Sequence, residues 1–102
     1  MRPLFALLVF GVLSGLAALG CGPVSYGVAI LDASGALAEA READAQTHAP
    51  YEYTYAAENI HKAREEAGYA DYQTAQELAE QARDLATKAR DIARQRRREA
   101  GR

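Results

Sequence analysis

The sequence predicts an all-α protein, in which a signal peptide precedes a small antiparallel three-helix (up-down-up) Ala-rich bundle of the coiled-coil type. Residues 21–102 contain 20 alanines but only nine Val, Ile or Leu, too few large side chains for the core of an α/β enzyme. Branched and aromatic residues are too sparse for the strands of a sandwich or barrel. The alanines recur at alternating spacings of three and four, which places them on one face of a helix.

An apolar stretch opens the chain. From Leu4 to Gly20 every side chain is apolar or small, and Arg2 is the only charged residue before Asp32. A positive start, an apolar centre and small residues at the exit are typical of a secretory signal peptide, which we assign to residues 1–20. An uncleaved membrane helix is the alternative, but a run of about seventeen residues is at the short limit for spanning a bilayer.

The only cysteine, Cys21, directly follows this stretch. The sequence Ala18-Leu19-Gly20-Cys21 resembles the lipobox of bacterial lipoproteins, which implies cleavage before Cys21 and lipidation of its sulfur. Because Gly22 follows instead of Asp, similarity to Gram-negative sorting rules implies an outer-membrane lipid anchor, with the protein facing the periplasm. The alternative is a soluble secreted protein with an unmodified cysteine. A single cysteine excludes disulfides within the chain and cysteine-based zinc clusters.

The first helix is predicted over residues 29–48, after a lipidated tether at 21–28. Its start is left open, because Gly35 costs about 1 kcal/mol in a helix interior and either Asp32 or Ser34 can act as N-cap. It ends before Pro50, since a proline disfavours the helical conformation in the residue before it. Its alanine stripe is Ala29, Ala33, Ala36, Ala40, Ala43 and Thr47, widened by Ile30 and Leu37.

The second helix is predicted from Pro50, which suits a first turn, to Gly68, which favours a helix stop. Its stripe is Tyr53, Ala56, Ile60, Ala63 and Ala67. The third helix is predicted over residues 71–98 with Asp71 as its cap. Its stripe is Tyr72, Ala75, Ala79, Ala82, Ala86, Ala89 and Ala93.

Larger apolar residues of the third helix recur every seven positions, at Leu78, Leu85 and Ile92. A seven-residue repeat favours helices packed nearly parallel or antiparallel with slight supercoiling. Short connections make sequential neighbours antiparallel. The alternative is solvated single helices whose alanines reflect helix propensity alone. A core of alanine is small, so a partner helix or a second copy of the chain is a candidate to complete it.

The spacing of the second and third helices resembles an Ala-rich family of bacterial lipoproteins, a domain of unknown function. The resemblance covers residues 29–93 and is carried by Ala49-Pro50, Tyr53, Ala56, Ile60, Ala63, Asp71-Tyr72, Ala75, Ala79 and Ala82. It implies an antiparallel helical hairpin behind a lipobox, which some relatives join to an OmpA-like domain, and it implies no catalytic residues. The hairpin also resembles one tetratricopeptide unit, with Ala70 in place of the usual Gly.

Residues for catalysis and metal binding are scarce. The histidines are His48 and His61. After lipidation of Cys21 they have no cysteine partner, and the only serines beyond Cys21 are Ser25 and Ser34, near the tether, so the parts for nucleophilic catalysis are lacking. Glu58 and His61 have the Glu-x-x-His spacing of carboxylate-bridged metal bundles, but no second pair matches it. We therefore expect no enzyme activity, no cofactor and no metal, with His61 paired to Glu65 on a solvated face instead.

Five of the six tyrosines lie near the two helix junctions: Tyr51, Tyr53, Tyr55, Tyr69 and Tyr72. We expect them to fill the ends of the bundle, where alanine is too small. The alternative is stacking on sugar rings or peptides.

Charge is unevenly distributed along the chain. Residues 21–82 hold 3 basic and 11 acidic side chains, whereas residues 83–102 hold 8 basic and 3 acidic ones. The basic residues beyond Ala93 form what we call the basic segment, residues 94–102: Arg94, Arg96, Arg97, Arg98 and Arg102. Because the third helix is the longest, we expect this segment to project beyond the bundle, away from the lipid anchor.

The basic segment is the predicted partner-binding surface. It suits anionic groups such as peptidoglycan carboxylates or an acidic envelope protein. The alternative is that its arginines complement the helix C-terminus or solubilise the chain. Nucleic acid is not an expected partner, because the export signal removes the chain from the cytoplasm. We thus expect a non-enzymatic envelope lipoprotein with a structural or adaptor role, or alternatively an accessory helical subunit of a larger envelope complex.

Overall fold

The computed structural model describes residues 22–101, and the all-α prediction is confirmed for them: they are almost entirely helical and include no strand. The predicted signal peptide, Cys21 and Arg102 lie outside the described residues. The helices, in chain order, are α1 Pro23–Glu42, α2 Ala45–His48, α3 Pro50–Gly68 and α4 Tyr72–Ala100.

Helix α1 begins six residues before the predicted start. Residues 23–28, expected as a tether, are helical, with Pro23 in the first turn, where its fixed φ favours a helix. Neither Asp32 nor Ser34 caps the helix, and α1 continues through Gly35. Burial of Ala29 and packing of Tyr26 against the core outweigh the cost of the internal glycine.

The predicted first helix is broken at Asp44, so the described chain has four helices where three were predicted. Asp44 lies in the left-handed region, with φ 63° and ψ 41°, a conformation that Asp tolerates better than most residues. The single turn α2 then follows and buries Ala45. Thr47, predicted to continue the stripe, is exposed because the break changes the helical phase.

The other predicted helix boundaries agree with the structure to within one or two residues. Pro50 opens α3 and Gly68 closes it. Asp71 is the N-cap of α4, and its Oδ1 accepts a hydrogen bond of 3.2 Å from the backbone N–H of Thr74. Ala70 lies between the two helices with φ 61°, where a glycine would be favoured.

Helix α4 is the central element, because α1 and α3 both pack along it and contact each other much less. Its alanine stripe is fully buried from Ala75 to Ala93. Three groups of buried residues follow one another along the axis: Ala29 with Ala63 and Ala79, Ala33 with Ile60 and Ala82, and Ala40 with Ala43, Ala45, Ala49, Ala89 and Ala93. In these groups α1 and α4 ascend in number while α3 descends, so α3 runs antiparallel to both.

The core of the described chain is made of alanine with one exception, Ile60, which is 4% exposed. Leu78 and Ile92 of α4 lie half-buried at the margins of this core. The buried stripes contradict the alternative of solvated single helices. Because each alanine buries little more than one methyl group, close approach of the helices supplies the packing.

Candidate functional site

The basic segment projects beyond the helical core. Ala93 is the last buried residue of α4, yet the helix continues to Ala100, and every residue from 94 to 101 is exposed. At about 1.5 Å per residue, this part of α4 extends about 10 Å past the last buried alanine. The arginines of the segment are thereby presented on a regular helix.

Four of the five arginines of the segment lie within the described residues, and one of these four is bonded to the rest of the fold. The Nη1 atom of Arg96 donates a hydrogen bond to the backbone carbonyl of His48, the last residue of α2. This bond supplies a partner to a carbonyl at a helix end. Within residues 22–101, the side chains of Arg94, Arg97 and Arg98 make no hydrogen bond or ion pair. The structure therefore leaves three cations at one end of α4 available to a partner.

The arginines that precede the segment are engaged within the fold. Arg90 pairs with Glu39 at 2.7 Å and with Asp91 at 3.0 Å. The hydrogen bond that Arg90 donates to Glu39, and next the one that it donates to Asp91, raise the pKa of Arg90 above its usual value. Arg41 donates from Nε to the hydroxyl of Tyr53 at 3.1 Å. These arginines near the core are therefore paired, whereas Arg94, Arg97 and Arg98 have no partner within residues 22–101.

The first described residue, Gly22, lies at the opposite end of α4. A Cβ placed on Gly22 would lie 3.6 Å from a ring carbon of Tyr72, and the ring of Tyr72 lies 6.2 Å from that of Tyr26. Between Tyr72 and Arg96, α4 rises by about 36 Å. The chain therefore enters the helical domain far from the basic segment.

A stripe of exposed apolar residues on α1 was missed at the level of sequence. Val24 and Val28 are each 58% exposed and Leu31 is 73% exposed, and their i, i+4, i+7 spacing places them on one face of the helix. That spacing was visible, but the alanine stripe beside it dominated the pattern. Among residues 22–101, no helix has both the length and the apolar character needed to cross a bilayer.

Of the five tyrosines expected to fill the ends of the bundle, only two are half-buried. Tyr53 and Tyr72 are half-buried, and Tyr53 packs on the alanine cluster near α2. Tyr51, Tyr55 and Tyr69 are exposed instead. Tyr51 and Tyr55 border a groove of about 410 Å³ between α3 and α4, whose other residues are Asn59, Gln81, Asp84 and Leu85. The groove forms only where a face of α3 meets a face of α4, so the sequence of either helix alone does not show it.

The histidines lie apart from this groove and have carboxylate neighbours one turn away. Nε2 of His61 lies 3.1 Å from Oε1 of Glu65, and both side chains are exposed. Nε2 of His48 lies 3.8 Å from a carboxylate oxygen of Asp44. In the part of the chain that the structure describes, no cluster of three or more His, Cys, Asp or Glu side chains has a geometry suited to a metal ion.

Comparison with known proteins identifies a family but no characterised relative. Residues 28–102 match the model of a domain of unknown function, DUF4398. No curated protein and no solved structure matches the chain. The match includes α2, α3 and α4, residues 28–42 of α1, and the basic segment.

Proposed function

We propose that this chain, which belongs to the DUF4398 family, is a non-enzymatic bacterial envelope lipoprotein that serves as a structural or adaptor module. In this proposal a lipid on Cys21 holds one end at the outer membrane, on the periplasmic side. The basic segment at the other end engages peptidoglycan or an acidic envelope protein. The absence from the sequence of a paired nucleophile and base supports a role in binding.

The observation that carries the proposal is the exposed helical extension, on which Arg94, Arg97 and Arg98 have no partner among the residues that the structure describes. A solubilising role requires no ordered presentation of charge, whereas a partner with spaced carboxylates benefits from it, because the side chains start from a fixed scaffold. Arginine also binds carboxylates through two parallel hydrogen bonds. The alternative, that Arg97 and Arg98 only complement the C-terminus of α4, predicts no loss of partner binding when they are neutralised.

The anchor is supported by the lipobox-like sequence and by the position of Gly22. Acyl chains contribute about 0.8 kcal/mol per buried CH₂ group, and two or more chains give stable membrane attachment. An anchor next to Gly22 directs α4 away from the membrane surface if the helical domain stands upright. The basic segment then reaches about 36 Å beyond Tyr72 towards its partner.

Co-sedimentation with purified cell wall tests this proposal. The full chain is extracted in a zwitterionic detergent whose head group contains no sugar. It is compared with two double variants, Arg97→Gln/Arg98→Gln and Lys62→Gln/Lys88→Gln. Both variants lose two positive charges at exposed positions, but Lys62 and Lys88 lie outside the basic segment. Arg96 is left unchanged because it bonds to His48.

We expect the arginine variant to bind the wall about threefold to tenfold more weakly than the parent, since exposed ion pairs contribute about 0.2–1 kcal/mol each. Binding should also fall when salt rises from 0.1 to 1 M, because the screening length falls from about 10 Å to about 3 Å. Equal weakening of both variants would show that net charge, rather than the basic segment, determines binding. Unchanged binding of the arginine variant would reject the proposed site.

A second candidate function, an accessory helical subunit of a larger envelope complex, is favoured by the exposed stripe of Val24, Val28 and Leu31. Exposed apolar residues on one helix face are typical of a surface that packs against another helix. A photoreactive residue at Leu31, with a control at exposed Thr54, tests it in intact cells. A discrete adduct from position 31 alone supports the subunit, and an adduct of twice the chain mass identifies a homo-oligomer. No adduct from position 31 would reject this function.

A further inference from the structure

Two tyrosines next to the groove of α3 and α4 leave large aromatic surfaces in water. Tyr51 and Tyr55 are one helical turn apart, and their exposed fractions are 68% and 47%. Their ring centroids lie 5.4 Å apart at an interplanar angle of 39°. Tyr53, between them in sequence, packs instead on the core. The pair is therefore not required to fill the end of the helical core.

The groove beside Tyr51 and Tyr55 is lined by one aliphatic residue and by polar side chains that can form further hydrogen bonds. Leu85 is the half-buried apolar residue of its lining. Within the described residues, the side-chain amides of Asn59 and Gln81 make no hydrogen bond. The Oδ1 atom of Asp84 accepts two hydrogen bonds from Arg83, of 3.4 Å and 3.2 Å, which leaves Oδ2 able to accept from a ligand. Each amide offers two N–H donors and one carbonyl acceptor.

We propose that this groove binds the pyranose rings of a glycan. A pyranose has an apolar C–H face, which stacks on an aromatic ring, and a rim of hydroxyl groups, each of which both donates and accepts hydrogen bonds. Tyrosine faces carry the partial negative charge that attracts C–H groups. Amides and carboxylates match the hydroxyl rim. The tyrosine pair and Asn59, Gln81 and Asp84 supply both kinds of contact within one groove.

The charge of the groove favours a neutral glycan over an anionic ligand, and its volume is compatible with a small ligand. Its six lining residues include one carboxylate and no basic side chain, so an anionic ligand would meet no cation among them. The volume of about 410 Å³ lies within the range of about 300–1,000 Å³ that is typical of small-molecule sites. A proline-rich peptide also stacks on tyrosine, and the experiment below separates it from a sugar. This site does not depend on the basic segment or on wall binding through it.

Isothermal titration of the full chain in a sugar-free zwitterionic detergent tests the proposal. The probes are chitotetraose, cellotetraose and a ten-residue proline-rich peptide. The two saccharides share the β-linked pyranose ring but differ in the N-acetyl group, so a preference between them defines the sugar. The variants are Tyr51→Ala/Tyr55→Ala and Gln81→Ala. The control is Tyr69→Ala, which removes an 83% exposed tyrosine outside the groove.

We expect saturable binding of at least one tetrasaccharide, weakened about tenfold or more in the double tyrosine variant and unchanged in Tyr69→Ala. Gln81→Ala should weaken binding without changing the thermal midpoint, since this exposed amide makes no hydrogen bond within residues 22–101. The proposal would be overturned if neither saccharide bound saturably, or if both groove variants bound the saccharide as tightly as the parent. Tighter binding of the peptide than of the saccharides would also overturn it. Circular dichroism of every variant distinguishes loss of the site from loss of the fold.

Discussion

Replacement of Ile60 by alanine is the sharpest test of the alanine core. Ile60 is 4% exposed and packs with Ala33 of α1 and Ala82 of α4, so one side chain joins three helices. The substitution removes three carbons from this contact. At about 0.8 kcal/mol per buried carbon group, the transfer loss is about 2.4 kcal/mol. A cavity adds to the loss, and measured values for such truncations span about 2–5 kcal/mol.

Helix propensity acts in the opposite direction, because alanine is favoured over isoleucine by up to about 0.5 kcal/mol in a helix. We therefore expect the free energy of unfolding to fall by about 2–4 kcal/mol. Leu31→Ala is the matched control, since it also removes three carbons from a helix, but at a position that is 73% exposed. Its effect should stay within about 0.5 kcal/mol of zero.

Urea unfolding, followed by far-ultraviolet circular dichroism on chains that begin at Gly22, measures both differences. The slope with denaturant should be the same for parent and variants if only native-state packing changes. A loss below about 1 kcal/mol for Ile60→Ala, or one equal to that of Leu31→Ala, would refute the packing of α1, α3 and α4 around this residue.

The remaining predictions concern the connection before α4 and its central stripe, and the same unfolding assay checks each. Ala70→Gly should stabilise the protein by about 1 kcal/mol, because Ala70 has φ 61° and glycine adopts that conformation without a Cβ penalty; a loss of stability would contradict this. Asp71→Ala should cost about 1 kcal/mol, because it removes the acceptor for the N–H of Thr74; no change would show that the bond is unimportant. Ala86→Leu should cost about 1–3 kcal/mol, because Ala86 is fully buried and a larger side chain has no room; stabilisation would reveal an unfilled cavity.

Much of the fold can be predicted from the spacing of residues within each helix. The alternation of three and four between alanines fixes which face of α4 is buried, and all of its alanines from Ala75 to Ala93 are buried. Pro50, Gly68 and Asp71 mark helix ends through their own backbone and side-chain chemistry, so the boundaries of α3 and the start of α4 follow from the sequence. The greater predicted length of the third helix likewise indicated that the basic segment extends past the core.

Tertiary structure decided the features that depend on residues far apart in the chain. The break at Asp44 lets Ala45 and Ala49 reach the cluster with Ala89, which a continuous helix to residue 48 would prevent. The bond from Arg96 to His48 and the groove at Tyr51 and Tyr55 likewise require that specific helix faces meet.

The sequence alone determined the helical class, the identity of the buried faces and the concentration of arginine at one end, because each depends on neighbours within a turn or two. Only the tertiary structure decided that α4 is the shared central helix, and which tyrosines and arginines remain exposed. Those outcomes depend on how three surfaces of similar alanine content pair with one another. Local periodicity specifies each surface, whereas its partner is selected by packing across the whole domain.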